Sequence, residues 1–416
     1  MLTEEQMRIG RRNFLRAIAA LPALGAFAWS ASRSERPLAV AVIGAGVQGR
    51  RLMERSPTAL LRYVAVADIL PANRERALAT VRRIYDIQPD AYENYEDVLR
   101  RDDIQAVVVA TPLRMHAPVA LDALRAGKHV YCEAMMAYSV QQCDALAEAL
   151  AASGCVLQIG HQRRCNEIYR HAIEIVRSGM LGDILHIRAQ WHRNDDWRRA
   201  ASDDGFDPSP WGYETREHLN NWRLIAKHSQ GLMAEFGSHQ IDVVNWITRS
   251  APTAAVGSGG TYRYRDEREV EDHVFAVLEY PTNVTLTYSA ILSNAFEGRY
   301  EQIMGTRGTL ILRNESDAFL FTEDPSHSSA SDGAGEWKLE SPTPDEAAAP
   351  ASGKSLADAR PRSYRASLRA FVHAIRTGEP PPCGVGDGRA ATVAALTANE
   401  AIRTKRRVEL PGANVA

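Results

Sequence analysis

The chain has 416 residues, with 49 Lys and Arg against 51 Asp and Glu and a net charge of −2. That length has room for two domains of ordinary size, and the near balance of charge excludes the broad basic surface by which proteins hold nucleic acid. The 5 cysteines form no CxxC pair, which excludes a disulfide scaffold and offers no metal-ligand spacing, so they read as small buried hydrophobes and no metal is expected.

Residues 1–36 form a unit of their own. Arg11-Arg12 stands directly before Asn13-Phe14-Leu15, and an apolar run rich in Ala and Leu follows over 17–29. This is the layout of a twin-arginine export signal, the alternative being an amphipathic N-terminal helix. The run is too short to span a bilayer comfortably. Cleavage is expected after Ala28 or near Ala31, giving a periplasmic or otherwise extracytoplasmic protein with no membrane span in its mature form; an uncleaved tether is the other outcome.

The apolar, β-branched run 39–43 reads as a buried parallel strand. It leads into Gly44-Ala45-Gly46-Val47-Gln48-Gly49, the G-x-G-x-x-G spacing that turns a strand into a helix around a pyrophosphate. The three glycines have separate tasks: Gly44 makes the tight turn, Gly46 lets phosphate approach the backbone, and Gly49 lets the helix pack on the strand. A second apolar run, 63–67, ends in Asp68, about twenty residues on, where this fold places the acid that holds an adenosine ribose. Asp68 would repel a 2′-phosphate, so NAD is expected over NADP, with Arg50, Arg51 and Arg74 moderating the preference.

Strands are expected over 105–110, 129–133 and 156–159, and helices over 121–127 and 143–152. That alternation gives a doubly wound parallel sheet over 37–160. From 161 to 411 the pattern changes. Period-two alternation over 184–192, 272–280, 284–292 and 301–313, with tight turns near 281–283 and 305–308, predicts a large, mainly antiparallel open sheet with one polar face. That face is available to a substrate cleft or to a subunit interface. Residues 324–361, rich in Ser, Ala, Pro, Asp and Gly, read as a surface loop, and helices over 364–376 and 388–404 close the chain.

Taken together, Gly44-Ala45-Gly46-Val47-Gln48-Gly49, Asp68, Ala110-Thr111-Pro112 with His116, 126–133 ending in Tyr131-Cys132-Glu133, and 235–242 make the chain resemble the Gfo/Idh/MocA family, the glucose–fructose oxidoreductase and inositol dehydrogenase group, over 37–411. The resemblance implies a nicotinamide-binding Rossmann domain, a second α/β domain carrying substrate contacts, and a homodimer or homotetramer. It also places Thr111, Pro112, His116 and Glu133 along the nicotinamide half of the cofactor. One departure stands out. The family reads Glu-Lys-Pro where this chain reads Glu133-Ala134-Met135, and a methyl group cannot move a proton.

Glu235, His239 and Asp242 fall at helical offsets of four and three, which sets a histidine beside two carboxylates. Carboxylate neighbours raise a histidine's pKa toward that of a base working near neutral pH. The resemblance gives His239 the proton-handling role; the alternative is an inert, hydrogen-bonded helix terminus. Arg163 and Arg164 offer guanidinium forks to a substrate or to neighbouring acids. Trp197 and its neighbours Trp191, Trp211 and Trp222 suit the C–H faces of a sugar, or loop packing. Lys227 and Tyr138 are candidates to replace the missing lysine. The expectation is an NAD-dependent sugar or polyol oxidoreductase with a tightly retained cofactor. An NAD-dependent glycosidase working by transient oxidation and elimination is the second expectation, and a non-catalytic binding protein the third.

Overall fold

Strand and helix alternate from residue 38 onward as the apolar runs dictate. The computed structural model describes residues 2–21, 36–201, 204–281, 283–323 and 360–411. Within these, β1 (Leu38–Ile43), β2 (Leu61–Ala67), β3 (Asp90–Tyr92), β4 (Ala106–Val109), β5 (His129–Cys132) and β6 (Leu157–Ile159) form one sheet in the order β3-β2-β1-β4-β5-β6. All its pairings are parallel, so both faces need cover. Val40, Val42, Val107 and Val108 are accordingly buried completely, each such side chain contributing about 1.5–3 kcal/mol.

The N-terminal helix α1 (Glu4–Ala20) precedes this sheet. The helices α2 (Val47–Arg55), α3 (Pro71–Tyr85), α4 (Tyr95–Leu99), α5 (His116–Arg125) and α6 (Val140–Ser153) connect its strands. The α5 helix begins five residues before the expected 121, because Pro118 lies in its first turn, where a missing N–H breaks no helical bond.

After α7 (Glu167–Arg177) comes the second sheet: β7 (Ile184–His192), β8 (Ala254–Gly260), β9 (His273–Glu279), β10 (Thr285–Ile291), β11 (Arg299–Gly305), β12 (Gly308–Arg313), β13 (Asp317–Thr322) and β14 (Val408–Glu409), ordered β13-β12-β11-β7-β10-β9-β8-β14. Its pairings are antiparallel except β7 with β10. The strands β9 and β10 alternate buried and half-exposed residues, as their period-two pattern requires. The β8 strand was not legible, because Ala-Ala-Val-Gly-Ser-Gly-Gly carries little β propensity; its full-length pairing with β9 holds it. One face is buried under α9 (Ser238–Thr248) and α11 (Val385–Thr404), with the short α8 (Arg216–Asn220) preceding them in a long connection. The helix α10 (Arg360–Thr377) returns to the first sheet, where Tyr364, Leu368, Phe371 and Val372 join the core beneath β1 and β4.

The helix α1 lies on the end of the second sheet. A Cβ on Gly10 would be 2.8 Å from the Phe321 ring, Phe14 and Ala17 are buried, and Arg11 reaches Asp317 at 2.5 Å. Thr3 caps it with a reciprocal Gln6 bond. The expected cleavage positions and the 324–359 part of the expected loop lie outside the described residues. Among the described residues, no helix is long and apolar enough to cross a membrane.

Candidate functional site

The glycine turn divides its tasks by steric room. A Cβ on Gly44, whose φ is +90°, would meet the Ala110 carbonyl at 2.6 Å, and one on Gly49 would lie 2.1 Å from the Gly44 carbonyl oxygen. A Cβ on Gly46 would meet nothing within 4 Å. Protein therefore closes two sides of the turn and leaves the third open. No side chain caps the start of α2, and Val47 there is exposed, so its first N–H groups remain available to an anion. Asp68 lies beside this opening. Its carboxylate accepts from the N–H of Ala45 (2.7 Å) and of Leu70 (2.8 Å), and burial raises its pKa. Arg50 and Arg74 donate to backbone carbonyls of the turn at Ala45 and Asp68.

Thr111 and Pro112 are half-buried at the end of β4. His116 is turned inward and only 3% exposed. Its Nδ1 is 2.8 Å from the Met135 carbonyl and its Nε2 2.9 Å from that of Thr111, so it joins two loops. Glu133 accepts from Gln48 Nε2 at 3.0 Å, which ties β5 to the glycine turn, and burial pushes its pKa up to about 7. Because the folded form holds its proton above the ordinary 4.5, stability falls as pH rises from about 4.5 to about 7. In Glu133→Gln, urea melts across that window are expected to show this slope removed.

His239 follows a π-helical turn, Met233–Gly237, that runs directly into α9. The wider turn rotates Glu235 away from the position an unbroken α-helix would give it. Glu235 pairs instead with Arg223 at 2.7 Å, and Asp242 takes Arg164 through both carboxylate oxygens at 2.9–3.0 Å. The ring neighbours of His239 are neither Glu235 nor Asp242, and the one carboxylate that acts on it among the described residues, Glu315, is outweighed. Those ring neighbours are His161, with ring centroids 5.2 Å apart, and Trp191, which stacks on Phe236 at 4.6 Å. The expected rise in the histidine pKa is therefore corrected: burial, His161 and Arg163 together hold His239 well below the usual imidazole range. The ring is half-buried, with Nδ1 sealed from solvent. A neutral imidazole in this position can accept a proton but does not carry one beforehand.

The 3₁₀ turn Gln162–Cys165 supplies the other half of this packing. Arg163, 1% exposed, bonds Glu301 at 2.5 Å, and Arg164 is held by Asp242 and Asp387. Neither guanidinium proposed for substrate is exposed to a cleft. Both clamp the turn that carries His161, whose pKa burial lowers to about 3. Asp242→Ala, which leaves Arg164 buried without its main partner, is expected to cost roughly 3–5 kcal/mol in denaturant melts; an unchanged stability would return Asp242 to a chemical role. Trp197 packs on Phe236 at 5.0 Å, beside His239. Lys227 is exposed, and Tyr138 donates to the Ala226 carbonyl at 2.6 Å; among the described residues neither is hydrogen-bonded to His239.

The connection 193–237 has a role that its composition did not reveal. Phe206, Trp211, Tyr213 and Leu219 pack with Ile69 and Leu70 at the end of β2, and Arg114 donates to the Trp211 carbonyl at 2.6 Å. A loop of the second domain thus closes over the dinucleotide side of the first.

Two family models match successive parts of the chain. Residues 38–161 match the oxidoreductase family with an NAD-binding Rossmann fold, and residues 173–410 match that family's C-terminal alpha/beta domain. A 2,7-anhydro-N-acetylneuraminate hydratase of Mediterraneibacter gnavus is 24% identical over 275 residues, 65% of this chain and 66% of that protein. An inositol 2-dehydrogenase of Gluconacetobacter diazotrophicus is 36% identical over 162 residues, 38% of this chain and 46% of the relative. The match thus spans about half to two thirds of these relatives. A levoglucosan dehydrogenase solved in complex with NADH shares the fold at a TM-score of 0.68, with 19% identity over 90% of this chain and 99% of its own.

Proposed function

Because the chain belongs to the Gfo/Idh/MocA oxidoreductase family, both of whose domains it contains, we propose that it oxidises a hydroxyl of a carbohydrate-like substrate, with NAD held in the glycine turn and His239 taking the hydroxyl proton. One observation carries this reading. The open side at Gly46 is linked by Gln48 to the buried Glu133, Glu133 lies within electrostatic reach of Glu235, and the adjacent Phe236 stacks on Trp191, whose ring is 6.2 Å from that of His239.

When bound, NAD supplies the acceptor for a hydride. The protein's part is positional and protonic. The α2 N-terminus offers N–H groups to a pyrophosphate, Asp68 offers acceptors to ribose hydroxyls, and Trp191, Phe236 and Trp197 exclude water around the imidazole. His239 then accepts a proton in its neutral form without the family lysine, which is Ala134 here. The test is reduced-nicotinamide absorbance of the purified protein as sugars and polyols are added. A rise is expected, and a protein that neither holds nor binds NAD(H) ends this reading.

A second reading rests on Ala134 and on the relative named a hydratase. Transient oxidation can acidify a neighbouring C–H, permit elimination, and be reversed, so that no electrons leave the site. Release of a free aglycone without accumulation of NADH is the result that selects it.

Export by the twin-arginine route and assembly into a homodimer or homotetramer belong to the same proposal. Export is supported by Arg11-Arg12 ahead of the apolar run, and assembly by the outward face of the second sheet, where Phe275 is 48% exposed. Outside the cytoplasm no free dinucleotide pool exists, so the cofactor would be retained and regenerated in place. Replacing both arginines by lysine is expected to leave the protein in the cytoplasmic fraction. Light scattering is expected to give a multiple of the 45.9 kDa chain, reduced by the leader if that is removed.

A further inference from the structure

Four arginines gather around Glu235 and Phe236 in a chain whose overall charge is nearly neutral. Arg193 lies 5.7 Å from the Phe236 ring, and Arg223 lies 4.1 Å from the Trp222 ring while pairing with Glu235. Arg199 lies within electrostatic reach of Arg223, Glu235, Arg51 and Arg193. Two of these cations are matched, Arg193 by Asp195 at 2.6 Å and Arg223 by Glu235 at 2.7 Å. Arg51 and Arg199 are exposed, and among the described residues no acid pairs with either. Arg51 donates to Gln48, which in turn donates to Glu133.

The position of Arg199 is built. Buried Asn221 accepts from its N–H at 2.7 Å and donates to its carbonyl at 2.9 Å, and Asn220 donates to the Ala200 carbonyl at 2.6 Å. Two residues earlier, Trp197 has a φ of +63°, a left-handed conformation disfavoured for a bulky side chain, fixed by its N–H bond to Asp195 at 3.0 Å. The Trp197 ring lies 5.0 Å from that of Phe236. Desolvation and then the neighbouring cations lower the Arg199 pKa against the opposing pull of Glu235. Like charges gathered at the rim of a cleft focus a field on an anion entering it.

We propose that Arg199, framed by Arg51 and Arg223, is an anion subsite, and that the sugar this site prefers carries a carboxylate or a phosphate. The inference rests on the oxidoreductase reading for where the substrate lies, and it gives the substrate a class. A guanidinium fork binds either group through two parallel N–H bonds, which a neutral hydroxymethyl group cannot accept in the same way.

The test uses the full chain with its cofactor and matched sets of hexose, hexuronate and hexose 6-phosphate, read by tryptophan fluorescence for binding and by reduced-nicotinamide absorbance for turnover. An acidic member is expected to bind at least ~10-fold more tightly than its neutral counterpart, and which of the two acids does so separates carboxylate from phosphate. Arg199→Gln is expected to abolish that preference by raising KM for the acid, with neutral sugars and NAD affinity within about twofold, and Arg199→Lys to restore part of it. Equal binding across every set overturns the proposal. So does an Arg199→Gln protein that loosens the dinucleotide instead, since the cluster would then serve the cofactor. Absence of any nicotinamide signal overturns the oxidoreductase reading separately, because fluorescence reports the anion preference without turnover.

Discussion

Gly46→Leu is expected to abolish dinucleotide binding while leaving the protein folded. The expectation comes from the unequal room around the three glycines. Nothing lies within 4 Å of a Cβ at Gly46, so a leucine there points into open space and meets no protein atom close to its Cβ. That space is where a pyrophosphate must approach the backbone, and a side chain in it blocks every phosphate N–H bond at once. A loss of at least ~100-fold in NAD affinity is expected by calorimetry, since several charge-assisted bonds are removed together, with Tm within a few degrees. Gly49→Ala should behave in the opposite way. Its methyl would lie 2.1 Å from the Gly44 carbonyl oxygen, so β1 and α2 must separate and the melting temperature falls. A Gly46→Leu protein that still binds NAD would remove the cofactor from this turn.

His239→Ala is expected to lower turnover by roughly 10²–10⁴-fold, the range for a removed general base, with NAD bound as in the parent. The environment of His239 also fixes a pH signature. Its pKa is held well below the ordinary 6.5 by burial and by His161 and Arg163, so the imidazole is already neutral across the physiological range. The acid limb of the pH–rate profile that belongs to His239 therefore lies below 6.5. For stability the sign is equally defined: a histidine kept neutral by folding makes the protein lose stability as pH falls below 6.5, and this loss should be smaller in His239→Ala. Partial rescue by added imidazole would separate missing proton transfer from a disturbed fold. Unchanged turnover would remove His239 from the chemistry.

Local features were the legible ones. The G-x-G-x-x-G spacing and the acid twenty residues on are close in sequence and are placed by one strand and one helix, so the turn and the parallel sheet around it follow from patterning alone. The strands β7, β9 and β10 of the second sheet were legible for the same reason, since alternation is a nearest-neighbour property. What was not legible depends on partners distant in the chain. Arg164 meets Asp242 across 78 positions and Arg163 meets Glu301 across 138, and no local signal distinguishes such arginines from substrate-binding ones. The offsets Glu235, His239 and Asp242 assumed an unbroken α-helix. A π turn, which leaves no mark in composition, sent Glu235 to Arg223 instead. The same limit hid Arg199, which acquires meaning only when the loop from 193 folds beside residues 220–223.

The docking of the N-terminal helix has a consequence for how the molecule is finished. The 17 residues that hold the twin arginines also seal one flank of the sheet, through Phe14, Ala17 and the strip around Phe319 and Phe321. A chain trimmed beyond Ala28 would arrive at its destination with that flank bare, an unclosed seam inviting a sister subunit. A chain left whole would bring its own cover, so removal of the proposed leader would change what that flank offers to a second copy.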